Sequence, residues 1–231
     1  MKTRGKKYLE KVKLVEHRKK YAPADAASLV KQTSITKFDG TINLSIKLGI
    51  DPKRSDQQVR GTVSLPGGLG KKTKVIVIAK GEKIKEAETA GADLVGADDL
   101  IDKISKGWTD FDVAIATPDI MGSVGKLGKV LGQKGLMPNP KTGTVTFDVA
   151  RAVKEFKAGK VEYKTDKTGV VHVAIGKISF AEDKIVANLT TVLEAIIKAK
   201  PSSVKGVFLK SISVAATMGP SVFIDASKVL A

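Results

Sequence analysis

The apolar residues of this chain change their period twice. From Thr41 to Leu48 they alternate, with Ile42, Leu44, Ile46 and Leu48 interleaved by Asn43, Ser45 and Lys47. A period of two belongs to a strand with one face in a core and the other in water. Past Pro66-Gly67-Gly68-Leu-Gly70 the pattern differs. Lys74-Val-Ile-Val-Ile-Ala79 is a continuous apolar run, as in a strand covered on both faces, and helical stretches alternate with short apolar runs as far as residue 157. After Ala158-Gly159 the alternation returns. The two styles imply a mixed α/β and α+β protein. A discontinuous α+β domain with an antiparallel sheet is expected from residues 1–67 plus 160–231, with an inserted α/β domain on a parallel, Rossmann-like sheet over residues 68–159. Two chain crossings join them, one at Pro66, Gly67, Gly68 and Gly70 and the other at Ala158 and Gly159, and adjacent crossings make a natural hinge.

Within the first domain the spacing predicts a basic helix over 5–20, ending in His17-Arg-Lys-Lys20. A second helix starts at Pro23 with Ala26, Ala27, Leu29 and Val30 inward, and a strand over 60–65 pairs with 41–48 through the loop 51–58. The insert is read as strands over 74–79, 93–96, 111–118 and 143–147. Its helices are placed over 82–90, 98–106, a glycine-spaced stretch, and 149–157. Strands over 161–164 and 170–174 then flank Thr165-Asp-Lys-Thr-Gly169 as a hairpin. A long helix over 181–199 is stopped by Pro201. Strands over 207–215 and 221–224 flank Ala216-Thr-Met-Gly-Pro220 as a second hairpin.

Charge follows the same division. Residues 1–67 hold 15 Lys/Arg against 6 Asp/Glu and residues 160–231 hold 10 against 6, whereas the 92 residues between hold 15 against 12. Thirteen of the sixteen excess positive charges therefore lie in the two ends. A basic body of that strength suits a polyanion, and nucleic acid is the commonest one. The chain has no cysteine, which excludes thiol catalysis, disulfides and Cys-based zinc sites. The lysine-rich start runs into Tyr8-Leu-Glu-Lys-Val-Lys13 with no apolar stretch, so neither a signal peptide nor a membrane span is expected. The expected location is cytoplasmic.

Several motifs invite sharper readings. Gly67-Gly-Leu-Gly-Lys-Lys-Thr73 resembles a phosphate loop but has Leu65 where the first glycine belongs, Lys72 where the hydroxyl belongs, and lies before a strand instead of after one. Glycines 122, 125, 128, 132 and 135 lie amid Lys126, Lys129 and Lys134. They serve either close helix packing or a basic surface that exposes backbone to phosphates. Asp98, Asp99 and Asp102 read as helix capping and a solvated acidic face in preference to a metal site. His17 and His172 have no partner pattern for nucleophilic or zinc chemistry, so no enzyme activity, cofactor or metal is expected. The hairpin loops are more promising. Lys167-Thr168-Gly169 offers a cation, a hydroxyl and backbone, while Met218 beside Gly219 and Phe38 beside Lys37 either fold back on the core or present apolar surface to riboses and bases.

Gly132-Gln-Lys-Gly-Leu-Met-Pro-Asn-Pro-Lys-Thr-Gly-Thr144, with Lys37-Phe-Asp39, Leu48-Gly-Ile-Asp-Pro52, Arg60-Gly-Thr-Val-Ser-Leu-Pro66 and Thr217-Met-Gly-Pro220, resembles the bacterial family of large-subunit ribosomal protein one. The likeness extends over essentially the whole chain. It departs at Gln133-Lys134, where the family usually has Pro-Arg. The resemblance implies a two-domain constituent of the large ribosomal subunit, monomeric when free, that binds a folded region of large-subunit ribosomal RNA. It further implies a place in the mobile stalk, help in releasing deacylated tRNA from the exit site, and repression of the protein's own messenger RNA. The family's RNA contacts carry over to Lys37, Phe38, Thr41, Lys167, Thr168, Gly169, Ser211, Thr217, Met218 and Gly219. An enzyme working at the strand ends of the parallel sheet, or a DNA-binding protein, would leave the basic ends or the missing helix-turn-helix unexplained.

Overall fold

A computed structural model of the protein describes residues 5–16 and 18–226. His17, the first four residues of the basic start and residues 227–231 lie outside the described residues. The chain forms two compact units, one of residues 1–70 with 161–231 and the other of residues 71–160. Their basic and acidic side chains number 24 against 12 in the first unit and 16 against 12 in the second. Up to Gly70 the elements are α1 (Lys6–Val12), β1 (Lys20–Tyr21), α2 (Pro23–Gln32), β2 (Thr41–Leu48) and β3 (Arg60–Ser64). The insert adds β4 (Val75–Ile78), α3 (Glu82–Thr89), β5 (Leu94–Gly96), α4 (Asp98–Ser105), β6 (Val113–Ala116), α5 (Met121–Gly125), α6 (Gly128–Lys134) and α7 (Val149–Ala158). The return forms β7 (Lys160–Lys164), β8 (Val170–Lys177), α8 (Glu182–Lys198), β9 (Leu209–Ala216) and β10 (Ser221–Ile224). The mixed class read from the two strand styles is the one observed.

The first unit is built on a five-stranded sheet in the order β1-β10-β9-β2-β8, antiparallel except for the β1–β10 pair. Period-two alternation puts Ile42, Leu44, Ile46 and Leu48 of β2 on one face, beside Val171, Val173 and Ile175 of β8 and Ile212 and Val214 of β9. Helices α2 and α8 cover that face with Ala26, Ala27, Val30, Ile185, Leu189, Val192 and Ile196, all in one core. In the second unit β4 is central in the parallel order β5-β4-β6. Val75 and Val77 pack with α3 and α7, while Ile76 and Ile78 pack with α4, α5 and α6. Every residue of β4 is buried, as its continuous apolar run requires.

Four expectations are corrected. The strand at 60–64 does not pair with β2, whose edges are taken by β8 and β9. It joins β7 in a separate two-stranded sheet, with Arg60 Nε 2.7 Å from Glu162 Oε1. Gly61 is needed there because a Cβ would stand 2.6 Å from the Tyr163 hydroxyl. The strands either side of 165–169 consequently belong to different sheets, joined at the turn by the Thr165–Val171 bridge and by the bonds between Asp166 and Val170. The first helix stops at Val12, and Lys20–Tyr21 leaves it to pair with Phe223 and Ile224. Arg18, at φ 63°, lies outside helical space. At 143–147 only Val145 bridges Ala116, because the hydroxyls of Thr142 and Thr144 close the loop onto the Asn139 carbonyl instead.

The crossing before the insert is tied to α8. Asn188, fully buried, accepts from Gly67 N at 2.8 Å and donates to the carbonyls of Gly68 at 3.1 Å and Ile175 at 2.8 Å. Asn188→Leu keeps the volume but strands these backbone groups. It should therefore lower stability by about 2–4 kcal/mol in urea denaturation followed by circular dichroism. A loss below about 0.5 kcal/mol would show that the bonds are replaced by water.

Candidate nucleic-acid interface

Helices cover one face of the five-stranded sheet, and the opposite face carries Asn43, Ser45, Lys47, His172, Ala174, Ser211, Ser213, Ala215 and Phe223, none of them buried. The register sets them in rows. Phe223, Ser213, Ser45 and His172 lie across four neighbouring strands, and Ser211 lies beside Lys47. The result is an uncovered face whose side chains are mostly polar, with Lys47 as its cation. Nδ1 of His172 is 3.0 Å from Ser45 Oγ, a cross-strand contact on this face.

The ten residues named from the resemblance gather at the two ends of this sheet. Lys37, Phe38, Thr41, Thr217, Met218 and Gly219 lie where β2 begins and β9 ends. Lys167, Thr168, Gly169 and Ser211 lie where β2 ends and β9 begins. Eight residues of β2 separate the groups, roughly 25 Å at the rise of an antiparallel strand.

At the first end, Thr217 N and Oγ1 both donate to the Thr41 carbonyl at 3.0 Å, and Oγ1 accepts from Thr41 N at 3.0 Å. The Thr217 hydroxyl is thus a clamp between loop and strand. Gly219 N closes the turn onto the Ala216 carbonyl at 2.9 Å. Within that turn Met218 has φ 62°, the position that a type II turn normally gives to Gly or Asn. Its side chain is 76% exposed and that of Phe38 is 63% exposed, so neither folds back on the core. The Phe38 loop is fastened by Asp39, which accepts from Ser179 Oγ at 2.8 Å and Ser179 N at 3.1 Å. Those bonds, the hydroxyl's first, hold the Asp39 carboxyl below its ordinary range.

At the second end, Asp166 accepts from Val170 N and Thr168 N at 2.8 Å and from Thr168 Oγ1 at 2.7 Å. The Val170 amide, then the Thr168 hydroxyl, bring the Asp166 pKa down to about 2. Gly169 is buried at φ 75°, with its N–H on Asp166 O and its carbonyl on Leu48 N. Lys47 Nζ donates to the Thr168 carbonyl. The Thr168 hydroxyl and the backbone groups of Asp166, Thr168 and Gly169 are thus bonded within the fold, and Lys167 is exposed.

The residues that sequence reasoning passed over are Asn43, Ser45, Lys47, Ser213, His172 and the two staples, Asp39 and Asp166. Alternation had already set Asn43, Ser45 and Lys47 apart from the core. Asp166-Lys-Thr168 carries the spacing of a side-chain-closed turn, a signal that was present. The helical glycines 122, 125, 128 and 132 are not packing devices, since a Cβ at each would meet nothing within 4 Å. Asp98 and Asp99 occupy the first turn of α4, and among the described residues no group of three His, Asp or Glu is placed to hold a metal. No helix among them is long and apolar enough to cross a membrane. Residues 30–220 match the family model described as the Ribosomal protein L1p/L10e family.

The Asp166 loop yields a pH prediction. A carboxyl with a folded pKa of about 2, below the ordinary value near 3.9, favours the closed loop at all higher pH and ceases to do so as pH falls through about 2. In NMR titration the Asp166 carboxyl and the amides of Thr168 and Val170 should shift together with a midpoint near 2. A midpoint near 4 would mean that the amides do not hold the carboxylate.

Proposed function

The chain belongs to the Ribosomal protein L1p/L10e family and is therefore a large-subunit ribosomal protein that binds RNA; from this we propose that the uncovered face of the five-stranded sheet, with the loops at its two ends, is its RNA-binding surface. The observation that carries the reading is convergence. Ten residues drawn from separated segments of the sequence lie on or at the ends of a single open face, in the more basic of the two units. Lys37, Phe38, Lys167 and Met218 are the outward groups that meet RNA. Thr41, Thr168, Gly169, Thr217 and Gly219 hold the loops that present them, and Ser211 lies on the face itself. The RNA is a folded region of large-subunit ribosomal RNA.

The finer roles belong to the same proposal. The protein forms the mobile stalk and assists release of deacylated tRNA from the exit site. It represses its own messenger RNA through a copy of the ribosomal site. Motion of the stalk uses the crossings at Pro66, Gly67, Gly68 and Gly70 and at Ala158 and Gly159 as its hinge. The bonds of Gly67 and Gly68 to Asn188, and the packing of Gly70 against Phe180 and Lys177, favour a turning point for the first crossing just past Gly70.

Two measurements test this. Met218→Gly relieves a left-handed backbone costing about 1–2 kcal/mol, less the extra entropy of glycine, so stability should rise by about 0.5–1 kcal/mol. Affinity for a large-subunit ribosomal RNA fragment should fall by about 1–3 kcal/mol in filter binding. Lys210→Ala should instead weaken every RNA alike and reduce the salt slope by about one counterion. Unchanged affinity for the ribosomal fragment in a folded Met218→Gly protein would remove the loop from the interface.

For the hinge, exposed Asp102 and Glu194 suit dye labelling after Asp102→Cys and Glu194→Cys, because the chain has no other cysteine. Single-molecule energy transfer should give a broad or two-peaked distribution in free protein, with exchange in the microsecond-to-millisecond range. One narrow peak, unmoved by RNA, would end the moving-stalk reading and leave RNA binding intact.

A further inference from the structure

Next to the Met218 end of the sheet is a groove of about 540 Å³ that the ten residues above do not explain. Its lining joins Gly5, Lys6, Lys7 and Tyr8 of the α1 segment to Ile35, Thr36, Phe38 and Met218. Helix α1 buries no side chain of its own. It is held to the body in part by Lys11 Nζ, which donates to the Gln32 carbonyl at 2.8 Å. Its first turn therefore adds little to the core, and what it contributes is a wall with two cations on it. The groove is open, and its lining combines apolar and aromatic side chains with two lysines.

A nucleobase has two apolar faces, and its nucleotide carries a phosphate on either side. It fits such a groove better than an uncharged peptide or an aliphatic chain, neither of which uses Lys6 and Lys7. Stacking of a single base on an aromatic side chain is a common device for holding RNA that leaves its helix. We propose that this groove is a subsite for one unstacked base of the bound RNA, enclosed between Tyr8 on the α1 side and Phe38 with Met218 on the sheet side, with Lys6 and Lys7 against the adjoining phosphates. Tyr8 is then a specificity-determining residue that favours RNA with an unpaired nucleotide at that point over a continuous helix. The inference rests on the open face being the RNA surface.

The test uses the full chain and a large-subunit ribosomal RNA fragment that it protects. Each unpaired nucleotide of the protected region is replaced in turn by an abasic one, and affinity is measured for the native chain, Tyr8→Ala and Tyr8→Phe. One abasic position should weaken the native chain roughly 5- to 150-fold, the range of a lost base–aromatic stack. The same change should weaken Tyr8→Ala less than about threefold, while Tyr8→Phe keeps the full discrimination. If every abasic RNA binds the native chain as the parent does, or if Tyr8→Ala discriminates as the native chain does, the subsite is wrong and the open face stands. A native chain that does not prefer the parent RNA to a duplex of equal length overturns the open face and the subsite with it.

Discussion

Backbone hydrogen bonds along both edges of β2 join it to strands more than 120 residues away in the chain, β8 on one side and β9 on the other. A central strand satisfies all its donors and acceptors only if both partners arrive, so the two ends of the sequence must meet. Residues 71–160 are then an excursion from a sheet already defined by its neighbours, and they bury an apolar core of their own. Closing a loop of that length costs little more than closing a shorter one, because loop entropy grows only logarithmically with length. The uneven charge of the chain follows from the same pairing, since the two basic ends become one body.

With two helices available to the five-stranded sheet, one face is covered and one is left open. The open face is compatible with water because most of its side chains are polar, and of its three apolar residues, Ala174, Ala215 and Phe223, only Phe223 is large. Large apolar groups appear instead at the end of the sheet, where Phe38 and Met218 protrude. An apolar side chain held out on a left-handed backbone is unfavourable for the free protein, and unfavourable local geometry of this kind concentrates where a partner is met. The surrounding hydrogen bonds of Thr217 and Gly219 keep Met218 there.

Two acids serve a basic surface in an unexpected way. Asp39 and Asp166 each accept several short hydrogen bonds from the loop they belong to or from the turn beside it. They lower the net charge by one each, yet they order the loops that carry Lys37, Phe38 and Lys167. Ordering before binding reduces the entropy lost on association, so at the proposed interface these carboxylates would favour RNA binding without touching RNA. The hydroxyl of Thr168, which the sequence offers to RNA, and that of Thr217, which the family resemblance offers, both make internal bonds of the same kind.

Much was legible in the residues. The alternation of β2, the continuous apolar run of β4, the start of α2 at Pro23 and the stop of α8 before Pro201 are local patterns, and local sterics and burial enforce them wherever they occur. So are the division of the charge and the motifs that carry the family likeness. What the sequence could not decide was which strand lies beside which: β3 was matched to β2 and β7 to β8, and both pairings are wrong. A strand edge offers the same amide and carbonyl groups whatever its side chains, so its partner is settled by competition across the whole fold. The same competition decided that Thr168 and Thr217 bond inward, that His172 meets Ser45, and that Phe38 and Met218, which belong to opposite ends of the chain, stand at one end of one sheet.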